Sequence, residues 1–196
     1  MQLISIDELQ MQDPQVKKAY AFAKQAHAGQ VRKDGVTPYI EHPIQVAQIA
    51  ASMTCNPVVI AAALLHDVVE DTQFELKDIE AAFGKEVAEL VAAQTENKRA
   101  ERPFEETWQV RKEEALQVIG QASLEAKMIA LSDKLSNLLS LKQALCEYGE
   151  QAWQWFHQPD KEKQAWYYRS MGQCFYELQS FAVWQTYNEV LSEIFQ

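Results

Sequence analysis

The stretch AAALLHDVVEDT, residues 61–72, places four ionisable side chains at the end of a strongly apolar segment. Five consecutive alanines and leucines precede His66, Asp67, Glu70 and Asp71. An exposed helix end can carry such charges at little cost, so a surface position is the simplest explanation. Burying three carboxylates and an imidazole is costly unless a partner neutralises them, and a divalent cation is a common partner. The stretch therefore leaves two alternatives, an exposed helix end or a buried cation site.

The composition limits the classes of protein to which the chain can belong. Of its 196 residues 47% are hydrophobic, including eight Phe, seven Tyr and five Trp, which is ample for a packed core and argues against disorder. The formal net charge of −10 opposes binding to nucleic acid and to anionic membranes, so an anionic substrate requires a local basic patch. We expect one domain over residues 1–196, with a motif core at about 15–145 and a helical extension at about 146–196.

The cysteines and the N-terminus indicate a reducing compartment. Cys55, Cys146 and Cys174 are far apart and form no CxxC pair, which argues against a disulfide framework or a zinc knuckle. Residues 1–13 lack the basic region and long apolar run of a signal peptide. No apolar run approaches the roughly 18 residues that a membrane span needs. We therefore predict a cytoplasmic protein with no membrane partner.

Helical periodicity dominates between the few glycines and prolines, and it predicts an all-α fold. One predicted helix begins at Pro43, and another runs from Pro57 through residue 69 without a break. Further helices are predicted over 14–28, 75–83, 84–94, 105–119, 123–145 and beyond Asp160, with a polar loop or lid over 95–104. An apolar stripe of aromatic residues in the C-terminal part is either core or a dimer face, so a homo-oligomer stays open.

The spacing of the acidic residues brings several of them to common helix faces. Asp67 and Asp71 lie four residues apart on one predicted helix, and Asp133 and Asn137 lie four apart on another. A further helix carries His27 on its inward face. Two imidazoles and two carboxylates suit Mn²⁺, Fe²⁺, Zn²⁺ or Co²⁺, and such a set is available from His27, His66, Asp67 and Asp133. Because a lone histidine on an apolar face is often a hydrogen-bonded core residue, spacing alone makes this a hypothesis.

Four stretches, in this order, carry a resemblance to a known family. They are AHAGQVRKDGVTPYIEHPIQVA (26–47), ALLHDVVEDT (63–72), FGKEVAELV (83–91) and LSDKLSNL (131–138). Together they resemble the hydrolase domain of the RelA/SpoT homologue family, within the HD superfamily of metal-dependent phosphohydrolases. The resemblance implies an HD-domain helical bundle with a metal site between helices, bound Mn²⁺, and removal of the 3′-diphosphate from the alarmones ppGpp and pppGpp.

The resemblance also implies roles for particular residues. It puts metal ligation on His27, His66, Asp67 and Asp133, and handling of the attacking water on Glu70 and Asp71. It puts contacts to the nucleotide on Arg32, Lys33 and Asn137. These types suit the chemistry, because a carboxylate beside the metal can take a proton from water, and an arginine–lysine pair can meet the leaving pyrophosphate.

Three further positions have two interpretations each. Tyr39 could pack against the base or hold its loop, and Lys134 could extend a positive patch or lie on a solvated helix face. His42, directly before Pro43, suits a structural hydrogen bond or a supporting role behind the ligands, so we do not place it among them.

The predicted function is that of a free-standing alarmone hydrolase, because the chain ends without room for the synthetase domain of the long family members. Two alternatives remain. The same metal site could act on another phosphorylated nucleotide, such as a nicotinamide type, or the protein could bind an alarmone without cleaving it. Retention of both Glu70 and Asp71 argues against a pure binder, since two carboxylates beside an anionic ligand are costly.

Overall fold

The computed structural model describes residues 3–99, 101–156 and 158–196. Within these ranges the fold is all-α, as predicted, and the β-type pairing is limited to an isolated bridge between Val31 and Pro38. The helices are α1 (Ile6–Gln12), α2 (Pro14–Ala26), α3 (Glu41–Ala51), α4 (Pro57–Leu65), α5 (Val68–Asp71), α6 (Leu76–Phe83), α7 (Lys85–Ala92), α8 (Phe104–Gln121), α9 (Leu124–Tyr148), α10 (Lys161–Cys174) and α11 (Ala182–Ile194). Short 3₁₀ segments span Gly149–Trp155 and Tyr176–Leu178. None of the helices in the described ranges is long and apolar enough to cross a membrane.

The hydrophobic side chains form two clusters, and both α3 and α9 contribute to each of them. In the first cluster every residue from Val59 to Leu65 of α4 is buried, and α4 packs against α2, α3 and α7. In the second, α9 packs mainly against α11, and also against α8, α10 and the two 3₁₀ segments. Ile129 of α9 belongs to the first cluster, whereas Leu131 and Leu135 belong to the second. The middle of α9 therefore lies where the two clusters meet.

The aromatic stripe of the C-terminal part is core. Met171, Phe175 and Leu178 are fully buried in the second cluster, and Trp166 and Trp184 pack against it. The division of the chain into a motif core and an extension stays a prediction. Parts of two predictions fall on residues outside the described ranges: Ala100 within the loop at 95–104, and His157 within the extension.

Helix α3 begins earlier than the sequence indicated. We predicted a start at Pro43, but the helix starts at Glu41, so Pro43 lies inside its first turn. A proline is tolerated there because the first N–H groups of a helix have no intrahelical partner in any case. The consequence is that His42 belongs to a helix that packs on α4 and α9, rather than to the preceding loop.

The predicted continuous helix from Pro57 through residue 69 is broken after Leu65. The Nδ1 atom of His66 lies 2.8 Å from the carbonyl oxygen of Ala63, which an uninterrupted helix would pair with the N–H of Asp67. Helix α5 then resumes at Val68 with Asp67 as its N-cap residue. The break places both His66 and Asp67 at a junction instead of on a helix flank.

Candidate metal centre and its acidic neighbours

Three elements meet at one buried point: the first turn of α3, the junction between α4 and α5, and the middle of α9. One ligand atom from each of His42, His66 and Asp133 lies within 4.8 Å of the other two, and all three residues are buried. The Nε2 atom of His42 is 3.1 Å from Oδ1 of Asp133, and that of His66 is 3.7 Å from the same oxygen. Oδ2 of Asp67 adds a second carboxylate, 3.1 Å from His66 Nε2 and 3.5 Å from His42 Nε2.

Hydrogen bonds fix which nitrogen of each imidazole faces this point. A carbonyl oxygen can only accept, so Nδ1 of His66 donates to Ala63 and its Nε2 carries the lone pair in the neutral ring. Nδ1 of His42 lies 3.0 Å from Oγ of Ser136, whose hydroxyl donates to Oε1 of Gln45 at 2.6 Å. That hydroxyl therefore accepts from His42. Both Nε2 atoms are left to face the carboxylates, an arrangement in which a proton or a metal ion must lie between them.

The electrostatics of the point agree with a cation site. Burial opposes a charge on His66, yet the Asp67 and Asp133 carboxylates hold the pKa of its imidazole well above the usual value. Burial would raise the pKa of Asp133, but the Lys134 ammonium and the two imidazoles hold it well below its usual range. His66 Nε2 is buried and makes no hydrogen bond. Two imidazole nitrogens and two carboxylates converge on this point, and His66 Nε2 has no other partner, so the donor set fits a divalent metal ion.

His27 does not belong to this group, which differs from the prediction. It ends α2, its Nδ1 lies 2.8 Å from Oε1 of Gln30, and its ring packs on Tyr39 with centroids 4.7 Å apart. His42, in the first turn of α3, is the second histidine that contacts Asp67 and Asp133. The stretch EHP carried the information, and placing Pro43 within the first turn instead of at its start would have revealed it.

The two carboxylates after the centre have different surroundings. Glu70 Oε2 accepts a hydrogen bond from the N–H of Glu96 at 3.0 Å, and burial, helped by the Asp67 charge, raises the pKa of Glu70 to about 7. Asp71 accepts from the Tyr39 hydroxyl at 2.9 Å and pairs with Lys98. Glu70 is therefore close to half-protonated near neutral pH, whereas Asp71 is held by partners.

Tyr39 and Lys98 tie these carboxylates to the centre. The Tyr39 hydroxyl donates to Oδ2 of Asp67 at 2.6 Å as well as to Asp71. Lys98 Nζ lies 3.9 Å from Oε1 of Glu70 in addition to its contact with Asp71. The loop before α8 thus passes over the acidic pair.

Two neighbours on α9 hold Asp133. Lys134 Nζ donates to Oδ2 and Asn137 Nδ2 donates to Oδ1, both at 2.6 Å. The side chain of Lys134 is only 20% exposed, so it does not lie on a solvated face, one of the two positions we had considered. Both residues therefore orient a carboxylate of the centre.

The predicted basic pair lines an open groove beside the centre. The groove encloses about 1520 Å³ including its mouth, and its walls include Arg32, Lys33, His42 and Asn137. Arg32 donates from Nη2 to Ser140 Oγ at 3.3 Å. Lys33 Nζ lies 3.7 Å from the ring centroid of Phe156, and desolvation together with the nearby Arg32 charge lowers the pKa of Lys33 to about 8. Tyr148 and Trp155 add further aromatic surface to the groove.

The profile of the HD domain matches residues 19–155, which include every residue of the centre. The chain belongs to the HD domain family. An HD domain with this donor set implies a divalent metal ion.

Two relatives of this chain have names that refer to alarmones. The bifunctional (p)ppGpp synthase/hydrolase SpoT of Escherichia coli is 51% identical over 76 residues, which are 39% of this chain and 11% of that protein. The guanosine-3′,5′-bis(diphosphate) 3′-pyrophosphohydrolase MESH1 of Drosophila melanogaster is 40% identical over 124 residues, which are 62% of this chain and 66% of that protein. The chain thus spans only part of the length of these relatives.

Two solved structures resemble the HD domain chain over most of its length. A metazoan ortholog of SpoT, described as hydrolysing ppGpp, superposes with a TM-score of 0.75 over 92% of this chain and 96% of that one, at 27% identity. The lmo0812 protein of Listeria monocytogenes superposes with a TM-score of 0.68 over 81% of this chain and 96% of that one, at 34% identity.

Proposed function

We propose that this protein is a metal-dependent hydrolase that releases pyrophosphate from the 3′ position of ppGpp and pppGpp, leaving GDP or GTP. The observation that carries the proposal is the buried group of His42, His66 and Asp133, with Glu70 beside it at a pKa of about 7. The names of the SpoT and MESH1 relatives supply the choice of substrate.

In this proposal His42, His66, Asp67 and Asp133 would hold the metal ion, for which we propose Mn²⁺ because the donors are imidazoles and carboxylates without a thiolate. When bound, the dication lowers the pKa of a bound water and neutralises charge on phosphoryl oxygens. Ser136 and Ala63 keep the two imidazoles in the tautomer that leaves Nε2 available. Lys134 and Asn137 fix the orientation of Asp133.

Glu70 is the residue that takes the proton of the attacking water. A general base works best when its pKa lies near the working pH, and of the two acidic residues Glu70 has a pKa raised to about 7. Asp71 is held by Tyr39 and Lys98, so it positions the hydroxyl of Tyr39, which in turn contacts Asp67. We therefore propose a positioning role for Asp71 and Tyr39 within the predicted site.

The groove beside the centre takes the nucleoside and its 5′-phosphates. It is the larger of the two spaces next to Asp133, and it combines the positive charges of Arg32 and Lys33 with aromatic surface. Asn137 contacts both the groove and Asp133, so it links the nucleotide to the reacting group. We place the protein in the cytoplasm, because Cys55 and Cys146 are exposed and unpaired, as expected in a reducing compartment.

The test is an HPLC assay of ppGpp with purified protein and Mn²⁺, with EDTA as the control. We expect GDP and pyrophosphate, and intact ppGpp at micromolar enzyme would reject the proposal. A nucleotide panel that includes a 2′-phosphorylated nicotinamide dinucleotide separates the alarmone from the alternative substrate class. Binding of ppGpp without turnover by the metal-loaded protein would favour the sensor alternative.

Glu70→Gln tests the proton transfer in the same assay. We expect it to retain stoichiometric Mn²⁺ while kcat falls by roughly 10²- to 10⁴-fold, since it removes the base but keeps the shape. Glu80→Gln, an exposed position on α6, is the matched control and should behave as the unaltered protein. Full activity of Glu70→Gln would remove Glu70 from the mechanism.

A further inference from the structure

A second cavity lies behind the centre, on the side of Asp133 away from the groove. It encloses about 590 Å³ including its mouth, between the loop after α7 and helices α8, α9 and α10. Its charged walls include Glu96, Arg111 and Lys134. Lys134 Nζ hydrogen-bonds to Asp133, and the N–H of Glu96 hydrogen-bonds to Glu70, so the cavity adjoins both the centre and the proposed base.

Two polar side chains of this cavity, Arg111 and Tyr167, are buried and carry atoms that have no hydrogen-bond partner. Arg111 is only 4% exposed, and neither its Nε nor its Nη2 has a hydrogen-bond partner. The hydroxyl of Tyr167, also in a residue that is 4% exposed, has none. The guanidinium packs 4.2 Å from the Phe104 ring centroid and its Nη1 pairs with Glu96, but its Nε and Nη2 and the Tyr167 hydroxyl remain available to a ligand in the cavity.

The charges around the cavity favour an anion. Glu96 is shared between two cations: its Oε1 accepts from Lys112 at 2.7 Å, and its Oε2 lies 3.7 Å from Nη1 of Arg111. Glu114 also lines the cavity, but its carboxylate is taken by Arg99. Both acidic side chains of the lining are therefore paired with cations, and Arg111 keeps two nitrogen atoms free for an anionic group.

We propose that this cavity holds the leaving diphosphate, first as the outer phosphate of a 3′-diphosphate and, after cleavage, as inorganic pyrophosphate. The proposal rests on the proposed function. Water adds its oxygen to the phosphorus next to the ribose, the bond from that phosphorus to the 3′ oxygen breaks, and the 3′ oxygen ends with a proton. The pyrophosphate then remains with Arg111 and the Tyr167 hydroxyl.

The position of Asp133 between the two spaces supports this orientation. Asn137, bonded to Oδ1, lines the large groove, whereas Lys134, bonded to Oδ2, lines the small cavity. A substrate with its reacting phosphorus at the centre would then extend its nucleoside into the groove and its phosphate chain into the cavity. Arg32 and Lys33 consequently belong to the nucleoside side, and not to the leaving pyrophosphate as their sequence position indicated.

The experiment measures binding of inorganic pyrophosphate to the Mn²⁺-loaded protein by titration calorimetry and thermal melting, at one fixed free Mn²⁺ concentration so that metal–pyrophosphate complexes contribute equally to every variant. Arg111→Met should weaken pyrophosphate binding on the order of 10- to 100-fold, as expected for loss of charged hydrogen bonds. Added pyrophosphate should also raise the melting temperature of the unaltered protein more than that of Arg111→Met, because a ligand stabilises the fold by an amount set by its affinity. Arg102→Met, an exposed arginine paired with Glu106, is the matched control and should change neither quantity.

A purely structural role of Arg111 would give a different result. If Arg111 serves only as a structural partner of Glu96, Arg111→Met will melt lower without ligand and bind pyrophosphate as before, which overturns the proposal. Tyr167→Phe removes only the unpartnered hydroxyl and gives a second measurement if Arg111→Met does not fold. We expect severalfold weaker pyrophosphate binding by Tyr167→Phe, and unchanged binding would reject the assignment.

Failure of this proposal can be told apart from failure of the proposed function. Cleavage of ppGpp to GDP, with pyrophosphate binding unaffected by either variant, would reject the cavity assignment alone. Intact ppGpp, with pyrophosphate binding that depends on Arg111 and Tyr167, would reject the alarmone function and leave a diphosphate site to explain.

Discussion

At the scale of single residues, the candidate centre depends on which ring nitrogens are left free. His42 and His66 each use Nδ1 in a hydrogen bond within the protein, so each directs Nε2 toward the carboxylates of Asp67 and Asp133. His27 is equally buried and also leaves a partnerless Nε2, since its Nδ1 contacts Gln30, but the carboxylates of Asp67 and Asp133 contact His42 and His66 instead. Neither burial nor a free Nε2 therefore singles out a candidate ligand, whereas contact with the two carboxylates does.

The first prediction compares these histidines. His42→Ala should lose Mn²⁺ binding, because it removes one of the two imidazoles at the centre, while His27→Ala should retain a stoichiometric ion. Metal analysis of dialysed protein measures both. Loss of the ion in His27→Ala, with retention in His42→Ala, would contradict the ligand assignment.

The second prediction concerns Lys33 and pH. Its pKa of about 8 means that the amino group is charged below that pH and neutral above it, so attraction for an anionic substrate is lost as the pH rises through about 8. We expect KM for ppGpp to rise between about pH 7 and pH 9.5. Lys33→Arg stays charged throughout and should abolish that rise.

The control for this pH dependence is Lys142→Arg. Lys142 is a half-exposed lysine that pairs with Glu193. Unlike Lys33, it does not line the groove. It should leave the rise in KM as it is in the unaltered protein. If Lys33→Arg shows the same pH profile as the control, Lys33 does not contact the substrate.

At the scale of helices, α9 supplies both a candidate ligand and the support for another. Asp133 contacts the imidazoles directly, and Ser136, less than one turn later, accepts the hydrogen bond that orients His42 on α3. Ser132 is just as buried on the same helix, but its hydroxyl bonds to the carbonyl of Met128. The two serines therefore separate a role at the centre from a role in helix packing.

The third prediction uses this pair. Ser136→Ala should weaken Mn²⁺ affinity by roughly 10- to 100-fold, the usual cost of losing a hydrogen bond that orients a ligating histidine. Ser132→Ala should leave the affinity unchanged. Calorimetric titration of metal-free protein distinguishes them, and equal affinities for both variants would show that Ser136 does not hold His42 in place.

Helix periodicity predicted most of the helices, and it failed where tertiary contacts decide. No local rule decides whether Pro43 stands at the start of the helix or inside its first turn, since at neither position is the backbone N–H required for an intrahelical hydrogen bond. The break at His66 and Asp67 arises from an imidazole that takes a backbone carbonyl, which spacing cannot reveal. The same limits explain the site: His66, Asp67 and Asp133 could be grouped from their motifs, but the choice of His42 over His27 required the direction of α3.

At the scale of the whole molecule, the centre links metal binding to stability. Two carboxylates and two imidazoles come together at one buried point only when the chain is folded, so a cation that needs all four binds the folded state alone. An ion that binds only the folded state stabilises it by an amount set by its concentration relative to its dissociation constant. The unfolding temperature is therefore a direct readout of the centre.

The fourth prediction follows from this linkage. Mn²⁺ at a hundredfold excess over its dissociation constant should stabilise the fold by about 2.7 kcal/mol, which raises the melting temperature by roughly 5–11 °C for a chain of this size. Asp67→Ala should show no such rise. Scanning calorimetry with Mn²⁺ and with EDTA is the measurement, and an equal rise in Asp67→Ala would mean that the ion binds elsewhere.

Helix α9, like α3, has side chains in both hydrophobic clusters, and Asp133 lies on α9 between Ile129 of one cluster and Leu135 of the other. The two clusters are therefore expected to unfold together, because loosening the aromatic packing of the C-terminal part also displaces the helix that carries Asp133. Backbone amide hydrogens around Asp133 should thus exchange with solvent only when the whole protein unfolds. A substitution in the C-terminal core, far from the groove, would change activity by shifting the position of Asp133 along α9.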